Sequence, residues 1–313
     1  MTRRTVPTNR PRIRRDRYAP VERQHHMAGL FSAIAKTGER TNRVVRLEAK
    51  GETWRFVEPW SLGADDQTVF LTILAMFSAQ PQSYLHRNDA IRVMNLRGAI
   101  TYQNENALYM PTTARALCAA AGWEWSGPRW ALLRKSLDRL SHTTFDIIAP
   151  NDTTVSGGTL LARRTTSEGQ IALAINPLLG AAIGGEASWI RVDLDERKTL
   201  KSNTARLLHA WLSGWLWKSE EKGLIGIDTL GKHIWPDYDD VGGGTRRKRR
   251  HHITVALEEE ISPLPSWKVK VANGVATIHY FPRPVVGSAQ SSSPADPAAE
   301  KPGEKTRHNQ TGK

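Results

Sequence analysis

Five consecutive cations, Arg246-Arg247-Lys248-Arg249-Arg250, stand at the head of a segment in which Ile253, Leu257 and Ile261 recur at every fourth residue. That spacing predicts an amphipathic helix with one buried stripe, and Thr245 is the expected N-cap. At about 100° per residue the stripe leaves Lys248, His251, His252, Val255 and Glu259 on the opposite side. Arg247 and Arg249 fall on the flanks, and Arg246 and Arg250 fall nearer the stripe, where they either lie along it with their heads snorkelled to water or start the helix where there is little yet to pack against. Cations at a helix N-terminus oppose the macrodipole, so helix stability does not account for them. A polyanionic partner does. The alternative is a solvated charge run on a small packing domain, but cations without compensating acids repel one another.

The flanking residues extend this into a motif. Residues 224–227 read as a short strand, and Asp228 is placed to cap a helix containing Leu230 and Ile234 that ends at Trp235-Pro236. An acidic, Gly-rich turn follows to Gly244. Beyond the basic helix, Pro263 and Pro265 stop the chain, and residues 267–271 and 275–280 read as two strands joined at Asn273-Gly274. Helix, turn, basic helix and hairpin is the order of a winged-helix DNA-binding module. Its candidate DNA contacts are Arg247, Lys248, Arg249, Arg250, His251 and His252 in the major groove, with either the Asn273-Gly274 tip or Lys268 and Lys270 reaching the backbone beside it.

The same order occurs earlier in the chain. Pro128 suits N1 of a helix over 129–140, with Trp130, Leu133, Leu137 and Leu140 inward, Ala131, Lys135 and Asp138 outward, and Arg134 and Arg139 beside them. Strands over 143–148 and 159–161 then flank a wing-like loop, 151–158. Arg134, Lys135 and Arg139 therefore join the candidate contacts, with base contact and a purely structural role both open for this helix. The expected fold class is α+β, with two winged-helix domains in tandem. The first covers 26–184 with an N-terminal extension, and the second covers 185–285, the boundary lying at Gly184-Gly185.

Elsewhere the pattern is that of a packing scaffold. Segments 44–47 and 53–57 suggest a hairpin across Lys50-Gly51. Val69, Ile73, Leu74 and Phe77 mark the buried side of a helix over 64–79, and Asp65 and Asp66 suit its first turn without a metal. Asn203 is the expected cap of a long helix whose Leu207, Leu208, Trp211, Leu212 and Trp215 form a core stripe, part of which is alternatively a self-association interface. His209 reads as a structural histidine.

Composition narrows the function. The net charge of +13 points to a polyanion. Residues 1–25 hold eight arginines and only two acids, and read as a flexible basic arm that meets phosphates or merely aids solubility. Residues 286–313 lack periodicity and read as a disordered tail. Cys118 is the only cysteine, which leaves no intramolecular disulfide and no cysteine-based zinc cage. Apolar runs are too short to span a membrane and no export signal follows the first cations, so a cytoplasmic location is expected. No phosphate-binding Gly-Lys-Ser/Thr loop exists, since Gly242-Gly243-Gly244-Thr245 lacks the lysine. Adjacent pairs His25-His26 and His251-His252 are poorly placed for a metal. Asp237, Asp239 and Asp240 read as a solvated linker rather than a two-metal nuclease cluster. Neither enzymatic activity nor a cofactor is expected.

The chain resembles the replication initiator (RepC) family of IncQ-type broad-host-range plasmids. The resemblance rests on Gly29-Leu30-Phe31 with Lys36 and Gly38-Glu39-Arg40; Glu58-Pro59 followed by Leu62-Gly63-Ala64-Asp65-Asp66; Asn176-Pro177-Leu178; Thr204-Ala205-Arg206-Leu207-Leu208-His209 with Gly214-Trp215; Ile227-Asp228-Thr229-Leu230 with Trp235-Pro236; and Thr245 through Ala256-Leu257. These run in order over 28–282. The resemblance implies two winged-helix domains that bind direct repeats (iterons) at a plasmid origin, open the duplex locally, serve copy control and cooperate with a separate plasmid-coded helicase and primase. It places Arg247, Lys248, Arg249 and Arg250 on the family's basic segment. His251 and His252 stand where further lysine or arginine is expected, and the arm and tail also depart from the pattern. A transcriptional repressor using the same modules is the alternative.

Overall fold

The computed structural model describes residues 18–22, 29–34, 40–49, 52–79, 83–85, 107–151, 153–165, 170–176, 189–216 and 222–281. Strand β1 (Tyr18–Glu22) comes first, followed by the antiparallel pair β2 (Arg43–Ala49) and β3 (Glu52–Glu58). Helix α1 (Ala64–Ala79) is buried on nearly every side, because Phe70, Leu71 and Ala75 go inward along with the expected Val69, Ile73, Leu74 and Phe77. An apolar surface that encircles a helix makes it the centre of a core rather than its edge. Then come β4 (Ser83–Leu85), β5 (Ala107–Thr113), α2 (Ala114–Ala120) and α3 (Gly127–His142). Thr113 caps α2 through a bond from the Ala116 amide (3.2 Å), and Ser126 caps α3 with Pro128 in its first turn. Strands β6 (Thr144–Ile148), β7 (Thr154–Thr159), β8 (Leu161–Thr165) and β9 (Gln170–Ile175) complete this series.

A second series opens with β10 (Trp189–Asp193), α4 (Leu194–Thr199) and α5 (Asn203–Trp215). The cap of α5 is Ser202, not Asn203, its hydroxyl accepting from the Ala205 amide at 3.0 Å. Strand β11 (Lys222–Gly226), α6 (Ile227–Ile234) and α7 (Gly243–Val255) follow. A π-helical turn, Ala256–Ile261, continues α7, and β12 (Trp267–Ala272) and β13 (Val275–Tyr280) close the series. Asn273 and Gly274, between these two strands, have φ of 52° and 76°. Positive φ at both positions is what a two-residue hairpin turn requires.

Three strands of each series follow the same sheet order, and in the first β4 is added beside β5. In the first, β5 pairs with β9 and β9 with β8; in the second, β11 pairs with β13 and β13 with β12. The hairpin β6–β7, whose second strand occupies residues expected from sequence as the wing-like loop 151–158, lies elsewhere. It joins β2 and β3 in the order β2-β3-β6-β7. The reason is aromatic packing: Phe145 of β6 lies 5.3 Å from Trp54 and 5.7 Å from Phe56 on β3, all three buried. Strands β8 and β9 instead pair with each other beside β5.

Strand β1 corrects a second expectation. Tyr18–Glu22 was assigned to the flexible arm, yet it pairs antiparallel with β10, from Tyr18–Asp193 to Glu22–Trp189. Residues 1–17, the boundary at Gly184-Gly185 and the tail 286–313 lie outside the described residues.

The described residues fall within one compact unit, 14–283, and the buried apolar side chains form a single cluster from Leu30 to Tyr280. Helix α1 packs on both α3 and α5. Arg206 of α5 bonds Asp65 of α1 at 3.2 Å, and Arg197 of α4 reaches Gln67 of α1 at 2.8 Å.

Candidate nucleic-acid interface

Helix α7 begins earlier than its sequence suggests. Gly242 is the N-cap with no side-chain bond, and the Arg246 amide donates to its carbonyl at 3.0 Å. Thr245 thus lies inside the first turn. Ile253, Leu257 and Ile261 are all buried, as their spacing predicts.

The cations of α7 divide into two groups. Arg250 grips Asp228 of α6 with Nε and Nη2, at 2.6 and 2.5 Å from its two carboxylate oxygens. Tyr238 donates its phenol to the same carboxylate at 2.6 Å. Those two donors, Arg250 first and Tyr238 second, hold the Asp228 pKa down at about 2. Arg249 bonds Asp237 at 2.9 Å and lies 5.3 Å from the centre of the Trp235 ring. Arg246 donates to the Asp239 carbonyl at 2.8 Å and stands over Tyr238. The run is therefore partly compensated, where its sequence suggested no compensation: carboxylates of α6 and the following turn pair with two of its five cations, Arg249 and Arg250, and a backbone carbonyl of that turn holds a third, Arg246. Asp237 and Asp239 serve as ion-pair partners, the latter of Lys232 at 2.9 Å.

The second group is Arg247, Lys248, His251 and His252. All four are exposed and make no ion pair or hydrogen bond among the described residues. They lie on the side of α7 away from Ile253. Lys268 and Lys270 are also exposed, on β12, where they alternate with buried Trp267 and Val269.

This face is held by tight packing beneath it. Tyr238 is buried, and a Cβ built on Gly231 of α6 would come within 2.2 Å of its ring. Gly231 thus lets the turn after α6 close down on that helix and brings Asp237 under Arg249. Asp228, expected as an N-cap, is the second residue of α6; the cap is Gly226 without a side-chain bond. The acids that position the arginines were overlooked in sequence, although an acidic turn directly before a cationic helix was the available signal.

Helix α3 offers less. Arg134 and Lys135 are exposed. Arg139, also placed among the candidate contacts, is buried at 8% exposure and cannot meet DNA. Its Nε and Nη2 bond Asp66 of α1 at 3.0 and 2.5 Å. Asp66 is fully buried and also accepts from Arg40 at 2.6 Å and from the Gly63 amide at 2.8 Å, so that Arg139 neutralises a core carboxylate.

A second buried carboxylate underlies the other series. Glu196 of α4 accepts from the Trp267 indole at 3.0 Å and the Ser266 amide at 3.2 Å, with His209 Nε2 3.4 Å away. Burial pushes its pKa up, but the bonds from His209, Ser266 and Trp267 outweigh burial and hold it down at about 2. His209 is fully buried, in keeping with a structural role.

Among the described residues, no group of His, Cys, Asp and Glu side chains is arranged to hold a metal ion, and no helix is long and apolar enough to cross a membrane.

No curated protein sequence matches the chain. Crystal structures of domains 2 and 3 of RctB are similar to it with TM-scores of 0.49 and 0.43 at 11% and 12% identity, covering 84% and 81% of this chain and 100% and 95% of theirs. A family model for replication protein C (RepC) matches residues 14–280, a span that takes in both series and the cationic helix, and the chain belongs to that family.

Proposed function

We propose that this RepC-family chain is a plasmid replication initiator of the IncQ type, built on two winged-helix units, that binds direct repeats at the origin, helps open the duplex and supports recruitment of a separate helicase and primase. It does this in the bacterial cytoplasm, as a DNA-binding protein and not as an enzyme. The observation that carries the reading is the sorting of charge on α7. Arg246, Arg249 and Arg250 are tied to α6 and its turn, which fixes the helix, while Arg247, Lys248, His251 and His252 face outward from it. A rigid helix presenting donors suits the major groove, where lysine and arginine donate to guanine O6 and N7. Lys268 and Lys270 on the adjoining hairpin suit the flanking phosphates.

Origin footprinting on supercoiled plasmid with a probe for unpaired bases tests this. Protection of several direct repeats, with reactive bases in a neighbouring A·T-rich segment, is expected. Protection of one promoter-overlapping palindrome without unpaired bases would instead identify a repressor.

A further inference from the structure

A cavity of about 220 Å³ opens where the two series meet, bounded by α1, the end of α2, the start of α3, and α4 with α5. Its charge is one-sided. Arg129, Arg197, Lys198 and Arg206 line it, and among the described residues no carboxylate does.

Arg197 is the most telling of these. It is only 2% exposed, yet its guanidinium bonds none but neutral acceptors: Gln67 Oε1 at 2.8 Å, Thr68 Oγ1 at 3.2 Å, the Ala64 carbonyl at 3.3 Å and the Arg206 carbonyl. A buried cation with no carboxylate in contact is costly, and the field of Asp65 offsets only part of that cost. Burial first, and Arg206 second, press its pKa below the usual guanidinium range. The nearby acids are already engaged at the margin: Asp65 with Arg206 at 3.2 Å, and Asp195 with Lys198 at 3.3 Å. Arg129 lies over Trp123, 5.6 Å from its ring centre. On the α1 wall the hydroxyl of Thr72 is buried with no hydrogen-bond partner among the described residues.

We propose that this cavity binds a phosphoryl group, which supplies Arg197 with the negative charge it lacks in direct contact. Guanidinium groups donate to phosphate oxygens in pairs, and a cavity this size holds several waters or one oxyanion. The group comes either from a free phosphate or nucleotide or from the backbone of bound DNA. Because the walls belong to both series, its binding stiffens their junction. The inference does not rest on the reading of α7.

The test uses the full chain and the outer cations, since substitution of buried Arg197 risks unfolding. Inorganic phosphate is titrated against chloride at matched ionic strength while thermal unfolding is followed. Well above its Kd, phosphate should raise the Tm by about 3 °C, and the Arg129→Ala/Lys198→Ala variant should lose that rise. Absence of a phosphate-specific rise, or an equal rise in the variant, overturns the proposal. Two further arms identify the source. A rise with ADP at lower concentration than with phosphate marks a nucleotide, and a several-fold loss of random-duplex affinity in the variant marks a DNA phosphate. If the phosphate rise is present and neither of these is seen, the ligand is free phosphate.

Discussion

Helices α3 and α7 hold the same place in their two series, after a strand and a short helix and ahead of a hairpin, yet they use arginine in opposite ways. Arg139 of α3 turns inward to a fully buried carboxylate on α1. Arg246, Arg249 and Arg250 of α7 stay near the surface, tied to the Asp239 carbonyl, Asp237 and Asp228, and leave Arg247, Lys248, His251 and His252 exposed. Equivalent topology thus does not give the two helices equivalent cations: an arginine of α3 is consumed by the core, whereas those of α7 remain at the surface.

The largest expected effect breaks this comparison at the core. Asp66→Ala strips the charge partner from Arg139 and Arg40 together and leaves a buried guanidinium unpaired, which should cost about 3 to 5 kcal/mol. Asp228→Ala, at a pair whose side chains are 48% and 52% exposed, should cost far less because solvent screens it. Urea unfolding of both variants measures the contrast. Equal losses would mean that the α7 arginines are as structural as Arg139.

Next is acid stability, in which Glu196 plays for the second series the part that Asp66 plays for the first. Its folded pKa of about 2 is below the ordinary value of 4.5. A depressed carboxylate contributes stability that is fully present above the unfolded value and is lost as pH falls through the folded one. The window is therefore pH 4.5 down to 2, over which up to about 3 kcal/mol is lost. Glu196→Gln should be less stable at pH 7 and should show a flatter decline across that window. An unchanged slope would show that other carboxylates govern acid unfolding.

How much of this was legible in the sequence depends on how far apart the interacting residues lie. The stripe Ile253, Leu257, Ile261 and the turn Asn273-Gly274 are set by neighbours a few residues away, and both were readable. The partner of β6 was not, because alternation shows that Phe145 and Ile147 go inward but not that Trp54 awaits them. Arg139 failed for the same reason: a helical wheel orders it against its own helix, whereas Asp66, 73 residues earlier, determines its burial. The pairing of Arg249 and Arg250 with Asp237 and Asp228, across 12 and 22 residues, needed the turn at Tyr238 to be known.

The comparison sharpens at the DNA. Lys248→Ala should remove roughly 1 to 3 kcal/mol of discrimination, about a 5- to 150-fold loss confined mainly to the cognate repeat. Lys135→Ala on α3 should weaken cognate and scrambled duplexes alike, as loss of a phosphate contact does. Folding should be unaffected in both, since both side chains are exposed. Fluorescence anisotropy at fixed salt distinguishes them. If Lys248→Ala weakened both duplexes equally, base reading would pass to Arg247, His251 or His252.

The smallest effect separates positioning from binding within α7. Asp228→Asn keeps the shape of its partner but frees Arg250 from the bidentate grip that now fixes it. A released arginine beside a duplex meets phosphate, so non-specific affinity should rise a few-fold and the log-log salt slope should steepen by about 0.9, the increment for one added phosphate contact. The cognate complex should gain less, because a helix no longer anchored at Arg250 presents Lys248 and His251 with less fixed geometry. The ratio of cognate to random affinity should therefore fall even as both affinities increase. If Asp228→Asn instead lowered random binding, Arg250 would already be contacting phosphate from within its ion pair, and the division of the α7 cations into an anchored set and an exposed set would fail.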